Sequence, residues 1–325
     1  MSDFSAERAD LFEPFVKFRI ASNSWSEESN RKLKSFDRYC TTNYPGEPGL
    51  TQEMITGWCT KRPTEKNSNS MLARCNTCIS LIRYLLEREL IDISTPDMPK
   101  HKKSSHIPHA FTDVELERYF SQADRIVMES TDPWQKFVYL SISVLSRLLY
   151  SSGMRTTEVR LLKASNVDLS NGIINIVDTK GNLQHFVALH DDTLEMLIKY
   201  NEVADRKVAC RLLFFPIYKK DVNVPISNSL LDYYFHKIWY KANTTKAVPY
   251  DFRHNYATHN INSWLDSGIE FHSKFMYLSK SMGHSSLEST RYYYSIVPAL
   301  AEIIKMKSEA NFNDICPEVP VYEQD

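Results

Sequence analysis

Apolar residues recur at helical spacing along most of the chain. The clearest case is residues 68–90, where Met71, Cys75, Cys78, Ile82 and Leu85 step by four and three, flanked by Leu72, Ile79 and Leu86. That spacing buries one stripe of a helix. Phe12, Phe15, Val16 and Phe18 predict a helix over 6–20. Leu33, Phe36 and Tyr39 predict another, capped by Ser24 or Ser26 and ending near Asn43. Pro45, Gly46, Pro48 and Gly49 form a turn, and a short helix follows at 52–60. The first hundred residues therefore read as a small helical bundle.

Residues 96–108 interrupt the pattern with three prolines, Lys100, His101, Lys102, Lys103 and two serines. This is a basic linker, and it puts a domain boundary near residue 106. Beyond it, Thr112 and Glu115 have the spacing of a capping box. Asp132 and Pro133 open a long apolar helix to about Ser151, and a helical turn spans 156–162. The period then shortens. Ile173, Ile174, Ile176 and Val177, a Lys180-Gly181-Asn182 turn, and Phe186, Val187 and Leu189 predict a β-hairpin. Helices resume at Asp192, with a short strand expected at 212–215. The expected fold is mainly α with a small β-hairpin or sheet: a helical bundle over 1–106 and an α+β domain over 107–325.

A chain of 325 residues with 42% hydrophobic and 24% charged side chains has the make-up of a globular protein. Its net charge of −1 excludes a polybasic or an acidic disordered protein. The last 17 residues, 309–325, hold five acidic and no basic side chains, so residues 1–308 carry a net +4. The first residues lack a basic then apolar leader, and no apolar run reaches the ~20 residues of a membrane span. Six cysteines dispersed through the chain suit a reducing cytoplasm. Cys75 and Cys78 have redox or zinc spacing, but both lie on the buried stripe and read as core.

Four stretches carry candidate chemistry. Arg155 stands three residues before Glu158, a spacing that permits an ion pair. Lys180 occupies the hairpin turn. Tyr250 and Arg253 share a helix face, with Pro249 expected at the first helical position. Gly283-His284 precedes Thr290-Arg291-Tyr292-Tyr293-Tyr294, three tyrosines that helical geometry cannot bury together. Taken singly, these are a surface ion pair, a solvated lysine, a helix start and aromatic packing.

In this order and spacing they resemble the tyrosine recombinase, or phage integrase-type, family. The resemblance rests on Gly153-Met154-Arg155-Thr156-Thr157-Glu158, Lys180, Tyr250 with Arg253, Gly283-His284, and a tyrosine nine residues after that histidine. It covers 107–308, and the helical bundle resembles the family's core-type DNA-binding domain. It implies a site-specific DNA recombinase of the integrase or transposase kind. Arg155, Arg253 and His284 would bind the phosphate, Glu158 would orient Arg155, and Lys180 would protonate the leaving oxygen. Tyr293 would be the nucleophile, with Tyr292 and Tyr294 as fallbacks, forming a 3′-phosphotyrosine. Lys100, Lys102 and Lys103 are candidate DNA contacts. Neither metal nor other cofactor is needed.

The implied partners are double-stranded DNA with specific recombination sites and three further copies of the chain in a homotetramer. An accessory directionality factor is left open. No arm-binding domain is expected before the bundle, and the tail at 309–325 would dock on a neighbouring subunit. One position departs from the family: Tyr250 stands where His is usual. A phenol titrates near ~10 and is a weaker base than imidazole at neutral pH. Either the proton leaves by another route or Tyr250 only positions the phosphate. The alternatives are an Xer-like chromosome-dimer resolvase, a type IB topoisomerase, and a catalytically silent DNA-binding protein.

Overall fold

The computed structural model describes residues 4–65, 67–101, 108–177, 184–264, 270–284 and 290. It divides into two compact units, 1–106 and 107–325.

The first unit holds four helices: α1 (Ala9–Ala21), α2 (Glu27–Asn43), α3 (Gln52–Trp58) and α4 (Ser68–Leu86). The starts of α2, α3 and α4 are chemically marked. The side chains of Ser26, Thr51 and Asn67 accept hydrogen bonds from the third residue beyond each, satisfying a free helix N–H. The predicted stripe of α4 is buried, with Cys75, Ile82 and Leu85 at 0% exposure. They pack with Phe12, Phe36 and Trp58 in one core. Cys75 is hydrogen-bonded to Cys59 and buried, which pushes its thiol up. These sulfurs are core groups.

The α4 helix stops four residues short of the expected Leu90. Glu89 adopts a left-handed φ of 56°, and the Leu90 and Glu89 N–H groups bond back to the Leu85 and Leu86 carbonyls. That paired closure is a Schellman end, which consumes the carbonyls a longer helix would need.

The second unit holds α5 (Asp113–Glu129), α6 (Pro133–Ser152), α7 (Thr156–Arg160), a 3₁₀ turn at Ala164–Asn166, β1 (Val167–Asp168), β2 (Ile173–Ile176), β3 (His185–Ala188), α8 (Asp191–Lys207), α9 (Asn228–Ala242), α10 (Asp251–Ser263) and α11 (Glu270–Ser281). The strands form one antiparallel sheet in the order β1-β2-β3, with Ile174 opposite Val187 and Ile176 opposite His185. The predicted hairpin is therefore part of a three-stranded sheet, and β1 was not anticipated. At 212–215 there is no strand. Lys163 and Leu213 form a single bridge, too short a pairing to build one.

Helix α6 is the centre of this unit, packing against α5, α8, α9 and α10. Its apolar sequence is broken by serines, of which Ser141, Ser143, Ser146 and Ser152 are buried and each finds a partner. Ser141 pairs with the Tyr200 hydroxyl and Ser146 with the Tyr119 hydroxyl, both at 2.9 Å. Buried hydroxyls are tolerated on those terms. Tyr119, Phe235, Trp239 and Phe252 cluster on the other side of α5 and α9. The Thr112–Glu115 capping box is present. Burial alone would raise the Glu115 carboxyl, but hydrogen bonds from the Thr112 N–H, Thr245 and His109 pull it down to about 2. Among the described residues, no helix is long and apolar enough to cross a membrane.

Candidate active site

Two glycines in left-handed conformation set the site's geometry. Gly153, with φ 63°, ends α6, and Gly283, with φ 61°, follows α11. A side chain would be strained at either place. Each is also covered by a ring. A Cβ at Gly153 would strike Tyr256, and one at Gly283 would lie 2.5 Å from Cε1 of His185.

Arg155 follows the first glycine and caps α7. Its backbone N–H donates to Glu158 Oε2 at 2.8 Å, and its Nη1 donates to Oε1 at 2.5 Å. Glu158 is only 4% exposed. The i,i+3 pair is therefore a half-buried brace that fixes the arginine. Arg155 Nη2 then reaches across 128 positions to donate to the Gly283 carbonyl at 2.6 Å.

Arg253 sits in the first turn of α10 and is 1% exposed. Its Nη1 donates to the Gly153 carbonyl and its Nη2 to the Met282 carbonyl, both at 2.7 Å. The two arginines thus cross-brace the glycine turns, each held by a carbonyl of the segment that carries another site residue. Nη2 of Arg253 also lies 2.9 Å from His284 Nε2. A guanidinium has no acceptor, so Nε2 must accept. His284 is then neutral and carries its proton on Nδ1, which donates to Thr290 Oγ1 at 2.7 Å. Burial, followed by the charges of Arg253, Arg155 and His185, pushes the His284 imidazole down to about 4.

Among the described residues no carboxylate lies within ion-pair distance of Arg253. A buried cation facing carbonyls and a neutral imidazole is poorly compensated, and an arriving anion would complete it. Of this cluster His284 reaches an open groove of about 560 Å³ between β3 and α11, lined also by Gln184, His185, Phe186, Tyr277 and Lys280.

The structure therefore brings Arg155, Glu158, Arg253 and His284 together. Tyr250 is placed differently. It is the N-cap of α10, 40% exposed, and its ring meets His254 edge-on at 5.2 Å. Its carbonyl accepts the Arg253 backbone N–H at 3.1 Å, but among the described residues its hydroxyl makes no hydrogen bond to either arginine. Pro249 precedes this cap and so is not the first helical residue as expected. The turn before α10 is closed instead by Asp251, whose carboxylate accepts the Val248 N–H at 2.9 Å. Lys180, Tyr292, Tyr293 and Tyr294 lie outside the described residues, as do Lys102, Lys103 and the tail at 309–325. Lys100 is exposed. No group of three His, Cys, Asp or Glu side chains among the described residues is arranged to hold a metal ion.

Sequence reasoning missed three participants: His185, Thr290 and the carbonyls that anchor the arginines. The two glycines were the available signal, since a residue needed for its backbone marks a close approach.

The second unit sets helices around a three-stranded antiparallel sheet and joins two arginines and a histidine at one glycine turn, as expected of the DNA breaking-and-rejoining tyrosine recombinases. Residues 118–298 match the pattern described as the phage integrase family, and the chain belongs to that family. It is 28% identical over 313 residues to tyrosine recombinase XerD of Staphylococcus aureus, covering 92% of this chain and 97% of that one. It is 26% identical over 247 residues to tyrosine recombinase XerC of Chlamydia pneumoniae, covering 75% and 70%. Among solved structures, the integrase of transposon Tn1549 in complex with transposon right end DNA superposes with a TM-score of 0.60 at 14% identity, covering 92% and 99%. A lambda integrase dimer bound to a core site superposes with a TM-score of 0.56 at 16% identity, covering 87% and 94%. At those identities the superpositions speak for the fold.

Proposed function

We propose that the chain is a site-specific DNA recombinase whose arginine–histidine cluster binds the scissile phosphodiester. The observation that carries this is Arg253, a buried guanidinium bonded to two carbonyls and to His284 with no carboxylate partner among the described residues, His284 itself lining an open groove. A phosphodiester supplies the missing charge. Its non-bridging oxygens gain charge during transfer, and fixed guanidinium donors stabilise that gain. Arg155 and Arg253 provide the paired N–H geometry that matches two such oxygens, and Glu158 keeps Arg155 aimed. His284 enters the reaction neutral.

The covalent step assigns Tyr293 as nucleophile. Its phenolic oxygen loses its proton and bonds phosphorus as the bond to the 5′ oxygen breaks. Lys180 gives the departing oxygen a proton, leaving a 3′-phosphotyrosine and a free 5′-hydroxyl. A 5′-hydroxyl from another strand then attacks phosphorus, and the tyrosine leaves with a proton returned to it. One phosphoester replaces another at each stage, so no nucleotide is consumed. Tyr250, exposed beside the helix start, acts on phosphate placement rather than as the base. The helical unit adds DNA contacts through Lys100, Lys102 and Lys103. Four copies hold two sites, the tail at 309–325 links neighbours, and the cytoplasm is the place of action.

A second reading, an Xer-like resolvase, is supported by the near full-length match to XerD. It would recombine two sites within one plasmid more readily than it would join two molecules.

The test is covalent trapping on a nicked suicide duplex. Tyr293→Phe is expected to abolish the adduct while Tyr292→Phe and Tyr294→Phe retain it. An adduct formed by Tyr293→Phe overturns the assignment.

A further inference from the structure

The site contains a second imidazole that the mechanism above does not use. His185 opens β3, is 9% exposed, and pairs with Ile176 across the sheet. Three atoms of its ring, Cε1, Nδ1 and Nε2, lie 2.5, 2.7 and 3.0 Å from the point a Cβ on Gly283 would occupy. The ring therefore covers the Gly283 backbone closely. That short turn does three things at once. The Met282 carbonyl accepts from Arg253, the Gly283 carbonyl accepts from Arg155, and His284 stands next in the chain. His185 also lines the same groove as His284.

We infer that His185 is a positioning residue: its ring clamps the 282–284 turn against β3 and so holds both arginines and His284 at their working spacing. This rests on the recombinase reading for its activity readout but on geometry alone for its placement. The N–H groups of the turn close back on α11, Gly283 to the Lys280 carbonyl and His284 to the Ser279 carbonyl, and the His185 ring covers the side that faces β3. A flat ring on one side restricts it at little entropic cost, because a histidine has only two side-chain torsions to fix. A misplacement of about 1 Å at such a turn costs on the order of 100-fold in rate.

Among the described residues, the groups facing His284 include Arg253 from α10, Arg155 ahead of α7, His185 from β3 and Thr290. Of these, Thr290 is uncharged, and the other three hold the His284 pKa down. Replacing His185 with a neutral ring removes one of them, so His284 should then titrate at higher pH.

The experiment uses the full chain with the nicked suicide duplex and ¹⁵N-histidine NMR. His185→Ala is expected to slow adduct formation tenfold or more while duplex affinity stays within twofold of the unsubstituted protein. His185→Phe, which restores a flat ring, should recover most of that loss and raise the pH at which His284 titrates. Adduct formation by His185→Ala within twofold of the unsubstituted rate would overturn the inference. So would a His185→Phe variant as slow as His185→Ala, or an unmoved His284 titration. Should His185→Ala fail to fold, His185→Phe and the His284 titration decide alone. An unsubstituted protein that forms no adduct counts against the recombinase reading, and the titration still reports on His185.

Discussion

Two arginines, one in each unit, are buried to the same degree and do opposite things. Arg8 and Arg253 are each 1% exposed. Arg8 donates from Nε to Asp37 Oδ1 at 2.9 Å and from Nη2 to the Thr41 hydroxyl at 2.6 Å, with Glu47 O also accepting. Asp37 is further held by the Ser5 N–H and hydroxyl. That cation is neutralised within its own unit and has no vacancy for a ligand. Arg253 has carbonyls and an imidazole but no carboxylate among the described residues. Burial is therefore uninformative about role. On the proposed function, what separates Arg8 from Arg253 is whether the charge has already been matched by a carboxylate.

The largest effect should come from breaking the matched pair. Arg8→Ala strands Asp37 in the core, and losing one partner of a buried pair costs about 3–5 kcal/mol. Native-state hydrogen exchange should show α1 and α2 amides losing protection by that amount, with a double Arg8→Met, Asp37→Leu variant recovering most of it. Arg253→Ala should do the reverse. Cleavage should fall by about 10²–10³-fold, as for removal of one preorganised donor to a developing oxyanion. Its stability loss should be smaller than that of Arg8→Ala, because an unmatched buried charge is removed along with its hydrogen bonds. Single-turnover adduct formation and urea midpoints check both halves.

Gly283→Ala sharpens the comparison at the turn that holds the arginines. A left-handed conformation costs a non-glycine residue about 1–2 kcal/mol, and the new Cβ would press on the His185 ring. Thermal melting should fall accordingly, and adduct formation should fall with it. Thr112→Ala is the smallest change. It removes the N-cap of α5, costs about 1 kcal/mol and should leave cleavage unaltered, since it touches neither arginine.

Much of this was legible before any fold was known. Local signals carried it: the α4 stripe, Ser26 as a cap, the Thr112–Glu115 box, and Asp132 with Pro133 opening α6. The Arg155–Glu158 pair was also readable, because it spans three residues of one helical start. What was not legible depends on contacts between distant segments. Nothing in the spacing of Arg155 shows that it meets the carbonyl of Gly283, 128 positions away. His185 belongs to no motif and emerges only because β3 packs on α11. The two-residue strand β1 is too short to leave a pattern, and the apolar run at 212–215 imitates a strand while making one bridge. Tyr250 could be located on the helix start but not aimed, since its ring turns to His254.

On the proposed function an anion completes the charge around Arg155, Arg253 and His284, and the titration of His284 reports its arrival. In the free protein the imidazole, buried and facing two guanidinium groups, sits at about 4. A bound phosphodiester would offset those charges and favour the protonated ring. Followed by ¹⁵N-histidine NMR with a duplex that supports covalent trapping, using Tyr293→Phe to keep the complex uncleaved, His284 should titrate well above its value in the free protein. A titration unmoved by the duplex would mean the phosphate sits elsewhere, and the account would be contradicted.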